Sequence, residues 1–146
     1  MLKTPLLVLF VVLGAFFWFT AAMFVRLAGD TVFADGSTAL PLLYVAAFPV
    51  LYIAIVLSSV ISRVPMRDML IPVVLMTTTA LLLDGFAIAF FPDLYGATDE
   101  HVRTGAAFIM WGGGMGMAVA WVIAARARVQ NPQDADAKQP LQSARS

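Results

Sequence analysis

Cysteine is missing from this 146-residue chain, which removes disulfides, iron–sulfur clusters and thiolate catalysis at once. Its single histidine, His101, is too few for bis-histidine haem ligation and has no cysteine or second histidine to complete a metal site. Charge is scarce as well. Charged residues make up 12% of the chain, against about a quarter in an ordinary soluble domain. The formal net charge is zero, so neither a basic field for nucleic acid nor an acidic surface for cationic partners is present. No phosphate loop, HExxH, GxSxG or Ser/His/Asp set can be found. The expectation is a protein that is not an enzyme, carries no cofactor and binds no nucleic acid.

What is abundant is apolar length. Hydrophobic residues reach 61%, and the mean hydropathy is +0.88. A helix rising about 1.5 Å per residue needs about 20 apolar residues to cross roughly 30 Å of hydrocarbon. Leu6–Val25, Leu40–Val60, Met69–Phe91 and Gly105–Ala125 all meet that length, with Asp84 the one charge inside them. Backbone groups in lipid must be satisfied within their own segment, which favours helices. The short alternating segments of a membrane β-barrel are not seen. The expected fold is therefore all-α: an integral membrane four-helix transmembrane bundle over residues 1–128, followed by a polar tail, 129–146, of disordered composition.

The boundaries carry recognisable signals. Pro5 suits a first helical position, and Ser37 or Thr38 can cap a second helix after an Asp35–Gly36 turn. Val64–Pro65 and Phe91–Pro92–Asp93 break the chain on either side of the third span. Thr98, Asp99 and Glu100 make an acidic first turn for the fourth, where the helix dipole favours negative charge. Pro49 and Pro72 are expected to kink helices two and three. Lys3, the apolar run and Thr20–Ala21–Ala22 loosely follow a secretory signal. The run is longer than such a core and ends in Phe16, Phe17, Trp18 and Phe19, so it reads as a span.

Orientation follows from lysine and arginine placement. With four spans, Lys3, Arg63, Arg67, Arg126, Arg128, Lys138 and Arg145 share one side, and Arg26 and Arg103 hold the other. Seven against two places both termini in the cytoplasm.

Asp84 stands about seven residues, or roughly 10 Å, inside the end of the third span. An acid there costs about 2–3 kcal/mol on insertion scales, so it should face the bundle with a partner. Val73, Thr77, Ala80, Asp84 and Ala87 fall on one stripe, which reads as inward; Met76, Leu83, Phe86 and Phe90 read as lipid-facing. Arg26, at the end of the first span, is the natural partner for an intramembrane polar pair with Asp84, with His101 and Arg103 as second choices. The competing reading is that these cations only anchor helix ends. Asp84 itself is either a proton- or cation-coupled site or an interhelical lock.

The fourth span is rich in small residues. Gly105, Gly112, Gly116 and Ala120 are candidate helix-packing positions, and Ala106, Gly113, Ala120 and Ala124 make a second stripe. Small residues let helix backbones approach closely in lipid, within the bundle or between copies. A weakened, substrate-binding segment is the sharper alternative. Tyr95 and Trp121 suit interfaces, Trp18 and Trp111 suit packing, and the Phe-rich first helix suits acyl chains, a quinone or a pigment.

Phe24–Gly29 after an aromatic first helix, Leu82–Phe86 running into Phe90–Phe91–Pro92, and Trp111 in a glycine-rich last helix carry a resemblance. Across roughly Phe10 to Ala125 the chain is similar to a family of small bacterial four-helix inner-membrane proteins, catalogued only as a domain of unknown function. The resemblance implies a multi-pass protein of the bacterial inner membrane and brings no activity with it. Two roles follow from the residues themselves. One is a noncatalytic protein that self-associates or serves as an accessory subunit of a larger membrane complex. The other is a small proton- or cation-coupled transporter using Asp84. Small multidrug exporters of comparable size carry their acid in the first helix; here the first span has none.

Overall fold

The computed structural model describes residues 4–33 and 37–130, with side chains left out of the description at 30, 31 and 128–130. Lys3, the Asp35–Gly36 turn, Lys138, Arg145 and all of the tail from 131 lie outside the described residues. Four long helices dominate the rest: α1 (Thr4–Val32), α2 (Ala39–Ser62), α3 (Leu70–Phe90) and α4 (Asp99–Gln130). All four are long and apolar enough to cross a membrane. The fold is all-helical, as the runs of apolar residues require.

The helices outlast the apolar stretches that mark them. α1 continues past Val25 to Val32, and α4 starts at Asp99, before its apolar run. A helix is ended by its backbone partners, and at Asp99 these are supplied in advance. The Thr98 hydroxyl accepts the His101 N–H at 3.3 Å while Asp99 and Glu100 face the positive end of the dipole. At α2 it is Ser37, rather than Thr38, whose hydroxyl accepts a backbone N–H, that of Ala39.

α2 ends where Arg63 turns left-handed at φ 57° and its N–H returns to the Val60 carbonyl. Ser59 and Ser62 stitch this exit by donating to the carbonyls of Val64 and Ser58. Pro65 then leads into a single 3₁₀ turn, Met66–Asp68. Pro72 lies in the first turn of α3, where its missing N–H costs no helical bond.

α1 packs mainly against α3, α3 against α4, and α4 against α2. Two apolar clusters result. One gathers Phe10, Ile55, Met69, Val73, Met76 and Ala120, near the start of α1 and the end of α4. The other gathers Ala22, Val25, Phe33, Ala87 and Tyr95 at the opposite end. Val73, Asp84 and Ala87 face inward as the stripe on α3 predicts. Met76 corrects that reading: it is 7% exposed and belongs to the core, because α3 is covered on two sides and its buried arc is wider than one stripe. The backbone of α1 lies close to α3 at Gly14, where a β-carbon would stand 2.6 Å from the Met76 carbonyl oxygen.

Most of the apolar surface points outward. Only 11–22% of each span is buried, and Leu27, Leu42 and Leu82 are 83%, 70% and 71% exposed. A continuous apolar surface of this kind is unsuited to water and well suited to acyl chains.

Candidate functional site

The interior holds a short polar chain between the middle of α1 and the later half of α3. Trp18 on α1 donates its indole N–H to the Tyr95 hydroxyl at 3.0 Å. Tyr95 in turn donates its O–H to Oδ1 of Asp84 on α3. Asp84 is 5% exposed and Tyr95 is fully buried. The second carboxylate oxygen, Oδ2, is buried with no hydrogen-bond partner.

Local chain geometry explains how Tyr95 reaches an acid eleven residues earlier. α3 stops when the Phe91 N–H bonds the Ala87 carbonyl and Pro92 follows. The 3₁₀ turn Pro92–Leu94, closed by Leu94 N–H to Phe91 O and Tyr95 N–H to Pro92 O, folds the chain back over the helix end. The tyrosine ring then packs with Ala22 and Val25 while its hydroxyl drops toward Asp84. Burial pushes the Tyr95 phenol far above its ordinary value, and the hydrogen bond to the carboxylate pushes it further in the same direction. The hydroxyl therefore keeps its proton and remains a donor.

Arg26 and Asp84 do not form the pair that their positions along the spans suggest. Arg26 is exposed and its Nη1 donates to the backbone carbonyl of Asp93, tying the end of α1 to the 3₁₀ turn. Asp84 takes Tyr95 instead, a residue read from sequence as an interfacial anchor. A tyrosine just beyond a helix-ending proline has no periodic signature, so only the reversal of the chain reveals it.

Beside this chain sits a second construction. His101 is 7% exposed, and its Nε2 lies 2.9 Å from the Val25 carbonyl of α1. A carbonyl can only accept, so Nε2 carries the hydrogen. The ring stacks on Phe33 at 5.7 Å and lies between Gly29 and Gly96. β-Carbons at those glycines would stand 1.5 Å and 2.4 Å from imidazole atoms, so only glycine leaves room for the ring. His101, considered from sequence as a partner for Asp84, thus fastens α4 to α1.

The small residues of α4 divide between inside and outside. Gly105 is pressed against Val25, with a β-carbon 2.4 Å from its Cγ1. A β-carbon at Gly113 would stand 3.2 Å from Thr77 and one at Gly116 3.7 Å from Leu51, and Ala120 is 1% exposed. At Gly112 and Gly114 a β-carbon would find nothing within 4 Å. Trp111 packs on Tyr44 and Phe48 of α2, in a packing role. Trp121 is 62% exposed.

Fold and site together define a class: a four-helix bundle whose helices are long and apolar enough to span a membrane, with a buried polar chain between α1 and α3. Comparison with family models, with curated proteins and with solved structures gave no match.

Proposed function

We propose that this chain is a noncatalytic multi-pass protein of the bacterial inner membrane, with both termini cytoplasmic, that self-associates or serves as an accessory subunit of a membrane complex. The lysine and arginine bias and the resemblance to small four-helix bacterial proteins support the location and orientation. The observation that carries self-association is the open ground at exposed Gly114, on the same face of α4 as exposed Ala107 and Ala118. Gly105, Gly113, Gly116 and Ala120 are used inside the bundle, whereas Ala107, Gly114 and Ala118 leave a surface on which another helix backbone can settle closely.

Leucine at Gly114 therefore tests the association, since the position is exposed and a β-carbon there meets nothing within 4 Å. It is expected to weaken self-association at least about tenfold, or about 1.4 kcal/mol, by size measurement in detergent across a dilution series. An unchanged mass at every dilution would refute this role for α4. Gly116→Leu is a poorer probe because it grows toward Leu51.

One observation favours a second reading, transport of a proton or a cation. The Oδ2 atom of Asp84 is buried and makes no hydrogen bond, so it has capacity for a ligand. On that reading, proteoliposomes show a pH-dependent flux that Asp84→Asn abolishes. On the accessory reading Asp84→Asn alters stability alone, and flux indistinguishable from empty vesicles in both proteins removes the transporter.

A further inference from the structure

At the end of the bundle where α1 finishes and α4 begins, a cavity of about 340 Å³ is lined by Arg26, Asp93, Gly96, Ala97 and His101. Ligand pockets commonly span about 300–1,000 Å³, so this one suits a headgroup-sized molecule. Its lining combines opposite charges with one buried imidazole. The His101 wall is rigid, held by Val25, Phe33 and the two glycines. Arg26 is steered by its bond to the Asp93 carbonyl, and a guanidinium has five donors, so one such bond does not exhaust it. Immediately before Asp93 the surface turns strongly apolar. Phe90 and Phe91 are 66% and 60% exposed, and Phe86 packs against both rings at 4.9 Å and 6.2 Å.

A polar cavity of mixed charge beside an aromatic apron, at the level where spans end, matches one kind of molecule. We propose that this cavity holds the headgroup of a phospholipid carrying both a phosphate and a primary ammonium. The phosphate meets the Arg26 guanidinium, the ammonium meets the Asp93 carboxylate, and the acyl chains run along Phe86, Phe90 and Phe91. A primary ammonium donates three hydrogen bonds, whereas a trimethylammonium donates none and is bulkier. A purely anionic headgroup satisfies Arg26 but brings negative charge toward Asp93. The inference stands whether the protein works alone, in a complex or as a transporter.

The test is lipid retention by the full chain, measured by mass spectrometry after release from micelles doped equally with phosphatidylethanolamine, phosphatidylcholine and phosphatidylglycerol. Phosphatidylethanolamine is expected to be retained about tenfold over either of the others, the scale of one charge-assisted hydrogen bond. Asp93→Asn keeps the backbone carbonyl that Arg26 uses, so the fold survives, yet the preference over phosphatidylcholine is lost. Arg26→Gln lowers phosphatidylethanolamine retention to background. Equal retention of the three lipids by the unaltered protein, or an undiminished preference in Asp93→Asn, overturns the proposal. Displacement of the lipid by an equal concentration of free phosphoethanolamine overturns it too, because the chains would then contribute nothing.

Discussion

A single methyl group at Gly14 is expected to destabilise the bundle by about 1–2 kcal/mol net, within the roughly 1–3 kcal/mol that overpacking a tight contact costs. The added β-carbon would stand 2.6 Å from the Met76 carbonyl oxygen, 3.0 Å from its Cα and 3.0 Å from the Thr79 Cβ. Two of these three neighbours are backbone atoms, which cannot rotate aside as a side-chain tip can. The whole of α1 has to move away from α3, at the crossing that seats Phe10 and Met76 in one cluster. The gain in helix propensity from glycine to alanine, about 1 kcal/mol in water, offsets only part of this. Gly85→Ala is the matched control. It lies within α3 with nothing in reach of a new β-carbon, so it should leave stability unchanged or slightly raised. Denaturant titration in detergent compares the two, and equal midpoints would show that the Gly14 contact is not a constraint.

Tyr95→Phe should cost about 2 kcal/mol, toward the upper part of the range for leaving a buried polar group without a partner. The substitution keeps the ring and its packing but removes the donor to Asp84 and the acceptor of Trp18. Interhelical hydrogen bonds in membranes often measure nearer 0.6 kcal/mol on average, because the freed group finds another partner. Asp84 is left with the Trp18 indole nearby, while its Oδ2 is already without a hydrogen bond. Losing both partners together is nearly neutral, so in an Asp84→Leu background Tyr95→Phe should cost less than half as much. Full cost in that background would mean the hydroxyl acts elsewhere.

The same hydroxyl gives the fold an alkaline limit. Its folded-state value is raised above the ordinary 10.0 of a tyrosine, so its contribution is complete below pH 10.0 and declines as the pH rises beyond it. Unfolding midpoints followed upward from pH 9 should fall above pH 10.0 in the unaltered protein and much less in Tyr95→Phe. Parallel curves for the two proteins would contradict the assignment.

The number of long apolar helices and the inward face of Asp84 are legible along the chain because each is a local property: length, hydropathy and 3.6-residue spacing. The glycines are a different matter. The conspicuous run Gly112–Gly116 draws the eye, yet the tightest contacts fall at Gly14, Gly29, Gly96 and Gly105, three of which stand apart from any small-residue pattern. A glycine's need shows only when the atom opposite is known, and that atom belongs to a distant part of the chain. His101 illustrates this: read along the chain it is a helix-end cation, whereas in the fold its ring fills a slot between two glycines 67 residues apart.

That four long apolar helices form, and that an acid lies buried in the third, follows from which residues succeed one another along the chain, since run length and spacing are local properties. Tertiary structure alone decided which group answers that acid. Arg26 and Tyr95 both belong to the same end of the bundle, and the 3₁₀ turn after Pro92 turns the choice to tyrosine by folding its ring inward while Asp93 occupies the arginine. Pairing between remote residues is set by where the backbone reverses, a three-dimensional fact that no stretch of sequence contains.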